Sequence, residues 1–371
     1  MNKLFTFTNV QSSPRTNPGA RRFFTIALMV TTAVCLMSGT TFGQDNSEAN
    51  DAADRSGRRN FCSQTASLLF SSCGKEAADD LLKARAICLN VSDAAERKQC
   101  VADATTANNE KRQLCRAQQT VRFDVCKALG EGRYDPNLDP ALFDADFTHL
   151  TNPNPYLPLR IGNKWEFAGD GESVVVEVLN ETKLIEGVTC IVVSDVVSKG
   201  GAVAEDTDDW FCQAKNGDVH YFGEEVKDFE TFDGDKPRLP ELVKIDGSFK
   251  HGRDGDKAGI FFFASPKVGQ VYRQEFSANN AEDLAEILSV NYKFGSNPQL
   301  DEFVPKELAE RLCSGDCVVT KEFSPKEPGV FARKYYARGI GVFLEVKPGQ
   351  GKGIQLVGCN YDKRCNGLPT P

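Results

Sequence analysis

The carboxylates of one acidic run are the residues of this 371-residue chain with the most evident chemistry. Residues 205–210 read Glu-Asp-Thr-Asp-Asp-Trp. On a strand, side chains alternate between faces, so Asp206 and Asp208 share one face and Asp209 lies on the other. Neighbouring carboxylates repel one another, and carboxylate oxygens are ligands that Ca²⁺ prefers. The run predicts a candidate cation site at Asp206, Asp208 and Asp209, with Ca²⁺ as the candidate cofactor. The alternative is a solvated edge strand whose charges prevent aggregation.

Acid–base catalysis would need a histidine, and the chain contains three. His220 lies on a predicted strand, and with Asp208 and Asp209 it forms the weakest of our function hypotheses, an unrecognised hydrolase. A strand histidine with satisfied hydrogen bonds is the alternative. The sequence contains no GxSxG, HExxH, Walker or EF-hand motif, and no nucleophile has an obvious base. These observations favour a non-catalytic protein.

Aromatic residues are the candidates for contact with an apolar ligand, since the chain contains 25 phenylalanines. Phe261 and Phe263 share one face of a predicted strand, and Phe262 lies on the other. Phenylalanine on both faces requires a second apolar surface, which a ligand, a helical arm or a membrane could supply. A filled core is the alternative. The candidate ligand-binding residues are Trp165, Trp210, Tyr221 and Phe262.

Charge and composition exclude several classes of protein. With 44 basic and 52 acidic residues the net charge is −8, which would repel nucleic-acid phosphates. Hydrophobic residues make up 40% of the chain, as in a globular protein. Only one apolar run approaches membrane length, so we expect no integral membrane domain once that run is removed. The expected partners are an apolar small molecule or another protein.

The N-terminal region predicts export. Residues 1–43 contain four basic and no acidic residues, then an apolar stretch (Phe23–Met37) and small residues, which is typical of a cleaved signal peptide. An uncleaved anchor is the alternative, and Arg21-Arg22 leaves a twin-arginine signal open. Cleavage would change the net charge to −12 and leave twelve cysteines, an even number that favours disulfides. We expect a periplasmic or extracellular protein, with residues 44–60 as a disordered leader.

Six cysteines predict the first folded domain, residues 61–129. The gaps between them are 11, 15, 12, 15 and 11 residues, which is a palindrome. Side chains that are 11 or 15 residues apart lie near the same face of a helix. In an antiparallel pair of helices, the numbers of two residues that face each other always add up to the same sum. We therefore predict a helical hairpin, with Ser92 as the cap of its second helix. Its disulfides are predicted to be Cys62–Cys126, Cys73–Cys115 and Cys88–Cys100.

The rest of the chain predicts a second, β-rich domain. Residues 130–158 contain five prolines and are interpreted as an extended linker on a surface. Over residues 159–371, about ten runs of alternating apolar residues are separated by turn signals. Residues 281–294 fit a helix or a strand, and we prefer a strand; residues 305–312 fit a short helix. The expected fold class is α+β, a disulfide-stapled helical hairpin followed by an antiparallel β meander that forms a half-barrel or barrel.

The six remaining cysteines are also expected to form disulfides. Cys190 and Cys212 fall on neighbouring predicted strands. For the last four we prefer the local pairs Cys313–Cys317 and Cys359–Cys365, although a cross pairing stays open.

Several short motifs carry a resemblance. They are Asn154-Pro-Tyr-Leu-Pro-Leu159, Gly162-Asn-Lys-Trp165, Asp209-Trp210, Tyr221-Phe-Gly223 and Lys267-Val-Gly-Gln-Val-Tyr-Arg-Gln-Glu-Phe276. Across residues 132–361 the chain resembles a family of uncharacterised exported bacterial proteins, and more distantly it is similar to periplasmic half-barrel carriers of lipids and lipoproteins. The family has no assigned reaction, so the resemblance implies no catalytic residue.

The sequence thus leaves three function hypotheses. The preferred one is an exported binding protein for an apolar ligand or an envelope or extracellular protein. The alternative is a structural, envelope-interaction protein whose acidic surface binds cations, and the third is the hydrolase.

Overall fold

The computed structural model describes residues 60–371; the predicted signal peptide (1–43) and all but the last residue of the predicted leader (44–60) lie outside that range. The fold is the predicted α+β combination of a helical hairpin and an antiparallel β structure, here a nearly closed barrel. The hairpin consists of α1 (Phe61–Cys88) and α2 (Ala94–Leu129).

Three nested disulfides join the two helices and confirm the predicted pairing. The Cα atoms are 5.6 Å apart in Cys62–Cys126, 5.8 Å in Cys73–Cys115 and 5.6 Å in Cys88–Cys100. The disulfides provide the covalent stabilisation that the hairpin needs, because two helices alone bury little apolar surface.

The cap of α2 differs from the prediction. Asp93, and not Ser92, precedes the helix, and its Oδ1 accepts hydrogen bonds from the backbone N–H groups of Ala95 and Glu96, both at 2.8 Å. A carboxylate at this position also offsets the positive end of the helix dipole.

Fifteen strands form the β structure in the described range. Those of the first half are β1 (Lys164–Gly169), β2 (Glu172–Ile185), β3 (Val188–Lys199), β4 (Ala202–Gln213), β5 (Val219–Glu230), β6 (Glu241–Lys244), β7 (Phe249–Lys250) and β8 (Lys257–Phe262). Those of the second half are β9 (Val271–Arg273), β10 (Glu275–Phe276), β11 (Leu284–Tyr292), β12 (Cys317–Phe323), β13 (Ala332–Ala337), β14 (Gly341–Lys347) and β15 (Lys352–Cys359). Residues 284–292 are therefore a strand, as preferred, and α4 (Lys306–Leu312) is the short helix that was expected.

The barrel closes through one short stretch of chain. The hydrogen-bonded order is β10-β8-β5-β4-β3-β2-β1-β15-β14-β13-β12-β11-β9. Only Gln274 separates β9, which pairs with β11, from β10, which pairs with β8. This stretch joins the two edges of the sheet, so with β9 and β10 counted as one the barrel has twelve strand positions. β6 and β7 pair with β5 outside this order.

The outer face of the barrel is exposed to solvent at some strands and covered by other parts of the protein at others. On β2 the inner residues Val174, Val176 and Val178 are buried, while Ser173 and Val175 are exposed. Farther round, α3 (Pro298–Asp301) packs against the outer face of β13, where the Tyr335 hydroxyl donates a hydrogen bond to the Leu300 carbonyl (2.6 Å).

The segment between hairpin and barrel, residues 130–158, is packed against the barrel more closely than a surface linker. Phe147, Tyr156 and Leu157 are buried in the main apolar core. The Asn154 side chain, only 3% exposed, donates a hydrogen bond to the Gly217 carbonyl at 2.8 Å. We call residues 130–163, up to the start of β1, the connector.

The other three disulfides are local. Cys190–Cys212 joins β3 and β4, Cys313–Cys317 follows α4, and Cys359–Cys365 follows β15. Within residues 60–371, no helix combines the length and apolar character needed to cross a bilayer.

Candidate functional site

A groove of about 690 Å³ lies where the connector passes the barrel end at which β1 begins and β15 ends. Its volume falls within the range of small-molecule sites, roughly 300–1,000 Å³. We call it the connector groove. Its apolar lining consists of Phe147, Leu150, Pro153, Pro158, Leu159, Ile161 and Tyr361, and its polar lining includes Asn154, Arg160, Asn163 and Asn180.

Hydrogen bonds fix the wall of the connector groove. The Asn163 side chain donates to the Pro158 carbonyl at 2.8 Å, and the Tyr361 hydroxyl donates to the Ile340 carbonyl at 2.6 Å. Burial, followed by the charge of Asp362, raises the pKa of Tyr361, so this hydroxyl stays protonated. The groove is therefore largely pre-formed, with few polar groups at fixed positions, as is usual for small-molecule sites.

Of the four predicted ligand-binding residues, Trp165 lies nearest the connector groove. Its ring is fully buried and packs edge-on against Tyr361, with centroids 5.4 Å apart. Its Nε1 donates to the Ile340 carbonyl at 2.6 Å, the same acceptor that Tyr361 uses. Trp165 thus packs against Tyr361 of the groove wall without lining the groove itself.

The other three lie elsewhere. The Tyr221 hydroxyl donates to Asp209 Oδ1 (2.6 Å) inside the barrel. Phe262 packs against Tyr336 and Tyr156, with ring centroids 4.3 and 5.8 Å away. Phe262 belongs to the same apolar core as Phe261. The protein itself therefore supplies the second apolar surface that phenylalanine on both faces of this strand requires.

Trp210 lies in a separate apolar cluster with the outer-face residues Cys190 and Cys212. Lys183 Nζ lies 3.4 Å from the centre of its ring, a cation–π contact.

The structure separates the three candidate metal ligands. Asp209 is fully buried on the inner face of β4, whereas Asp206 and Asp208 lie on the outer face and are only partly buried. Burial raises the pKa of Asp208, and the charge of Lys227 opposes that shift. In the part of the chain that the structure describes, no three His, Cys, Asp or Glu residues are grouped to hold a metal ion. The edge-strand interpretation is wrong, because β4 lies between β3 and β5.

The residues of the hydrolase hypothesis do not converge. In the β4–β5 ladder, His220 lies opposite Cys212. Cys212 is four residues from Asp208 on β4, so His220 and Asp208 are separated by about 13 Å along the strand direction. Asp209 is on the other face of the sheet. The His220 ring packs edge-on against Phe143 with centroids 5.1 Å apart, and burial lowers the pKa of His220 to about 4. The imidazole is therefore neutral at physiological pH and lies against an apolar ring.

Sequence reasoning identified Asp209 but missed that it belongs to a set of carboxylates on the inner faces of β3, β4 and β5. Ladder partners point to the same side of a sheet, and the ladder places Glu205 opposite Asp228 and Asp209 opposite Glu224, with Asp195 opposite Thr207. Each of these acids is at most 2% exposed. We call Asp195, Glu205, Asp209, Glu224 and Asp228 the acidic wall.

A second set of inner carboxylates, Asp283, Glu322 and Glu345, surrounds Lys334; we call these three the facing acids. Lys334 Nζ lies 2.8 Å from Glu322 Oε2 and 3.8 Å from Glu345 Oε2. Burial disfavours the charged form of Lys334. The negative charges of Glu322 and Glu345 outweigh this effect and raise the pKa of the Lys334 ammonium group. Burial raises the pKa of Asp283 well above its usual range, and the charge of Glu224 acts in the same direction. The charge of Glu224, in the acidic wall, thus acts on Asp283, one of the facing acids.

Comparison with known proteins finds no relative of this chain. No protein-family model, no curated protein and no solved structure matches it. The resemblance to exported bacterial proteins and half-barrel carriers stays a prediction from the sequence motifs.

Proposed function

We propose that this protein is an exported, non-catalytic binding protein that takes an apolar small molecule in the connector groove. The observation that carries the proposal is the groove itself, which combines a volume of about 690 Å³ with a largely apolar lining. Burial of an apolar ligand there would gain roughly 25 cal/mol for each Å² removed from water. The six disulfides support a location outside the reducing cytoplasm.

The experiment is a titration with the apolar fluorescent probe anilinonaphthalene sulfonate. We expect one probe per chain, and we expect Ile161→Asp to weaken binding at least tenfold, because a carboxylate in the lining must be desolvated when the probe enters. The matched control is Leu184→Asp, since Leu184 is 71% exposed on β2 and does not line the groove. Equal affinities of the wild type and a folded Ile161→Asp variant would refute the groove as the site.

A second candidate function is recognition of a protein partner by the end of the hairpin. Leu82, Ile87 and Leu89 lie within one short stretch before the turn and are 66%, 68% and 78% exposed. Exposed apolar residues grouped in this way are typical of a protein-interaction surface.

Cross-linking in the native host tests this second candidate. A photoreactive residue at position 89 should trap a discrete adduct, and Leu82→Ser with Ile87→Ser should abolish it. The same photoreactive residue at position 184 is the control, and an identical adduct pattern at both positions would count against the hairpin as a docking arm.

A further inference from the structure

Arg160 is the only charged residue among the described residues that line the connector groove. Its side chain is exposed, and within residues 60–371 it forms no ion pair and donates no hydrogen bond. A guanidinium group carries five N–H donors in a planar fork that matches the oxygens of a carboxylate or a phosphate. The described lining therefore offers a ligand one positive group and no negative group.

Three carboxylates are sequence neighbours of lining residues, and each of them interacts with another group. Asp362 forms an ion pair with Arg364, with 2.8 Å between Oδ2 and Nη2. Asp146 accepts hydrogen bonds from the threonine two residues later, at 2.5 Å from the hydroxyl and 2.8 Å from the backbone N–H. The charge of Glu181 acts on Asp208, which lies on the outer face of β4. The guanidinium in the lining is therefore available to an anionic group from outside the chain.

The lining of the connector groove changes character with depth. Phe147 and Leu159 are buried, only 5% and 2% exposed. The two buried amides of the lining, Asn154 and Asn163, already donate to protein carbonyl groups, each at 2.8 Å. The buried side is therefore apolar toward a ligand, whereas Arg160 lies on the exposed side.

An irregularity of β2 adds a second exposed donor to the lining. The β2–β3 ladder is interrupted between Val178 and Thr182, and Asn180 lies in this interruption and lines the groove. Val178 pairs with the connector there: its carbonyl accepts from the Gly162 N–H at 2.8 Å, and its N–H donates to the Asn163 carbonyl at 2.9 Å. Interruptions of this kind re-aim side chains next to binding sites. The exposed Asn180 amide thus belongs to the same lining as the guanidinium.

We propose that the ligand of the connector groove is an amphiphile with one anionic head group, a carboxylate or a phosphate monoester, that binds to Arg160. Its apolar chain lies over Phe147 and Leu159, and the Asn180 amide donates a further hydrogen bond to the head group. Because the whole chain has a net charge of −8, its long-range field repels anions, so the selection comes from direct, charge-assisted hydrogen bonds. This proposal rests on the proposed function, because it names the ligand class of the same groove.

Displacement of the uncharged fluorescent probe Nile red from the full chain tests the proposal. The competitors have the same number of carbon atoms and differ in the head group: dodecanoate, dodecyl phosphate, 1-dodecanol and dodecylamine, each at neutral pH and below its micelle concentration. We expect dodecanoate or dodecyl phosphate to bind about tenfold or more tightly than 1-dodecanol, and dodecylamine to bind most weakly. The tighter of the two anions identifies the head group.

Substitutions of one arginine separate charge from apolar contact. Arg160→Gln should weaken binding of the tighter anion by about tenfold, because the charge-assisted hydrogen bonds are lost, while 1-dodecanol and Nile red keep their affinities. Arg160→Lys keeps the charge without the planar fork and should recover part of the loss. The matched control is Arg116→Gln, which removes the same charge from an exposed position of α2 outside the groove and should leave every affinity unchanged.

Two results would overturn the proposal: 1-dodecanol binding as tightly as both anions, or Arg160→Gln and Arg116→Gln affecting the tighter anion equally. In either case, Nile red still bound at one per chain would leave the apolar groove in place as a ligand site. If neither Nile red nor any competitor binds, the groove is not a ligand site, and the proposed function fails together with this proposal.

Discussion

The buried ion pair between Arg122 and Glu282 should hold the helical hairpin on the barrel. Arg122, on α2, is 4% exposed, and Glu282, beside the closing stretch of the barrel, is 1% exposed. The guanidinium donates two hydrogen bonds, Nε to Oε2 at 2.8 Å and Nη2 to Oε1 at 2.7 Å. The backbone N–H of Asn279 donates a third, at 2.7 Å, to Oε1 of the same carboxylate.

Arg122→Met removes two of these three hydrogen bonds and leaves a carboxylate buried without its cation. Loss of one partner of a buried ion pair costs about 3–5 kcal/mol, and we expect a loss near the lower end because Asn279 still donates to Glu282. Arg122→Met with Glu282→Met should be less destabilised than Arg122→Met alone, because no uncompensated charge stays buried. The free energy of unfolding, from urea titration with the disulfides intact, measures both effects.

Lys127→Met is the control on the same helix, because the Lys127–Asp124 pair is exposed, with side chains 77% and 61% accessible. It should leave the free energy of unfolding unchanged within error. Arg122→Met should also speed proteolysis of the connector. If its stability stays within about 1 kcal/mol of wild type, less than the smallest expected loss, the ion pair does not anchor the hairpin and our reasoning is refuted.

Three further predictions concern titration, disulfides and export. Burial lowers the pKa of His220 from 6.5 to about 4, so between these pH values the unfolded chain binds more protons than the folded protein. The free energy of unfolding should therefore fall by up to about 3 kcal/mol as the pH is lowered from 6.5 to 4. The free energy of unfolding, measured by denaturant titration across that pH range, should depend less steeply on pH in His220→Phe than in the wild type; equal slopes in the two proteins would contradict the assignment. Replacing Cys73 and Cys115 by serine should lower the free energy of unfolding by about 2–4 kcal/mol, and a smaller loss would mean that the other bridges already restrict the unfolded hairpin. N-terminal sequencing of the exported protein should begin after residue 43, and an intact N-terminus would contradict the signal-peptide prediction.

The hairpin and most strands could be predicted because the signals that specify them are local. The palindromic gaps between Cys62 and Cys126 fix both the pairing and the register, since two antiparallel helices bring only one set of residues opposite each other. Strand alternation likewise places Asp209 on the opposite face of β4 from Asp206 and Asp208, in agreement with the β4–β5 ladder.

The candidate sites could not be predicted, because they depend on contacts between distant segments. The connector groove forms only when the proline-rich segment packs beside Tyr361, about 200 residues later. The large apolar residues Phe147, Tyr156 and Leu157 were a signal that this segment is not a surface linker. The acidic wall depends on which face of β3, β4 and β5 is enclosed, and closure of the barrel by the stretch containing Gln274 decides that.

Native mass spectrometry of the protein purified from its own host tests the binding function most directly. The expected spectrum shows the chain with six disulfides, lighter by twelve hydrogens than the reduced chain, plus an apolar molecule that gentle activation releases. The same preparation of Ile161→Asp should lack that molecule, while Leu184→Asp should retain it. A wild-type spectrum with only the bare chain, from protein that also fails to bind the fluorescent probe, would contradict the proposal.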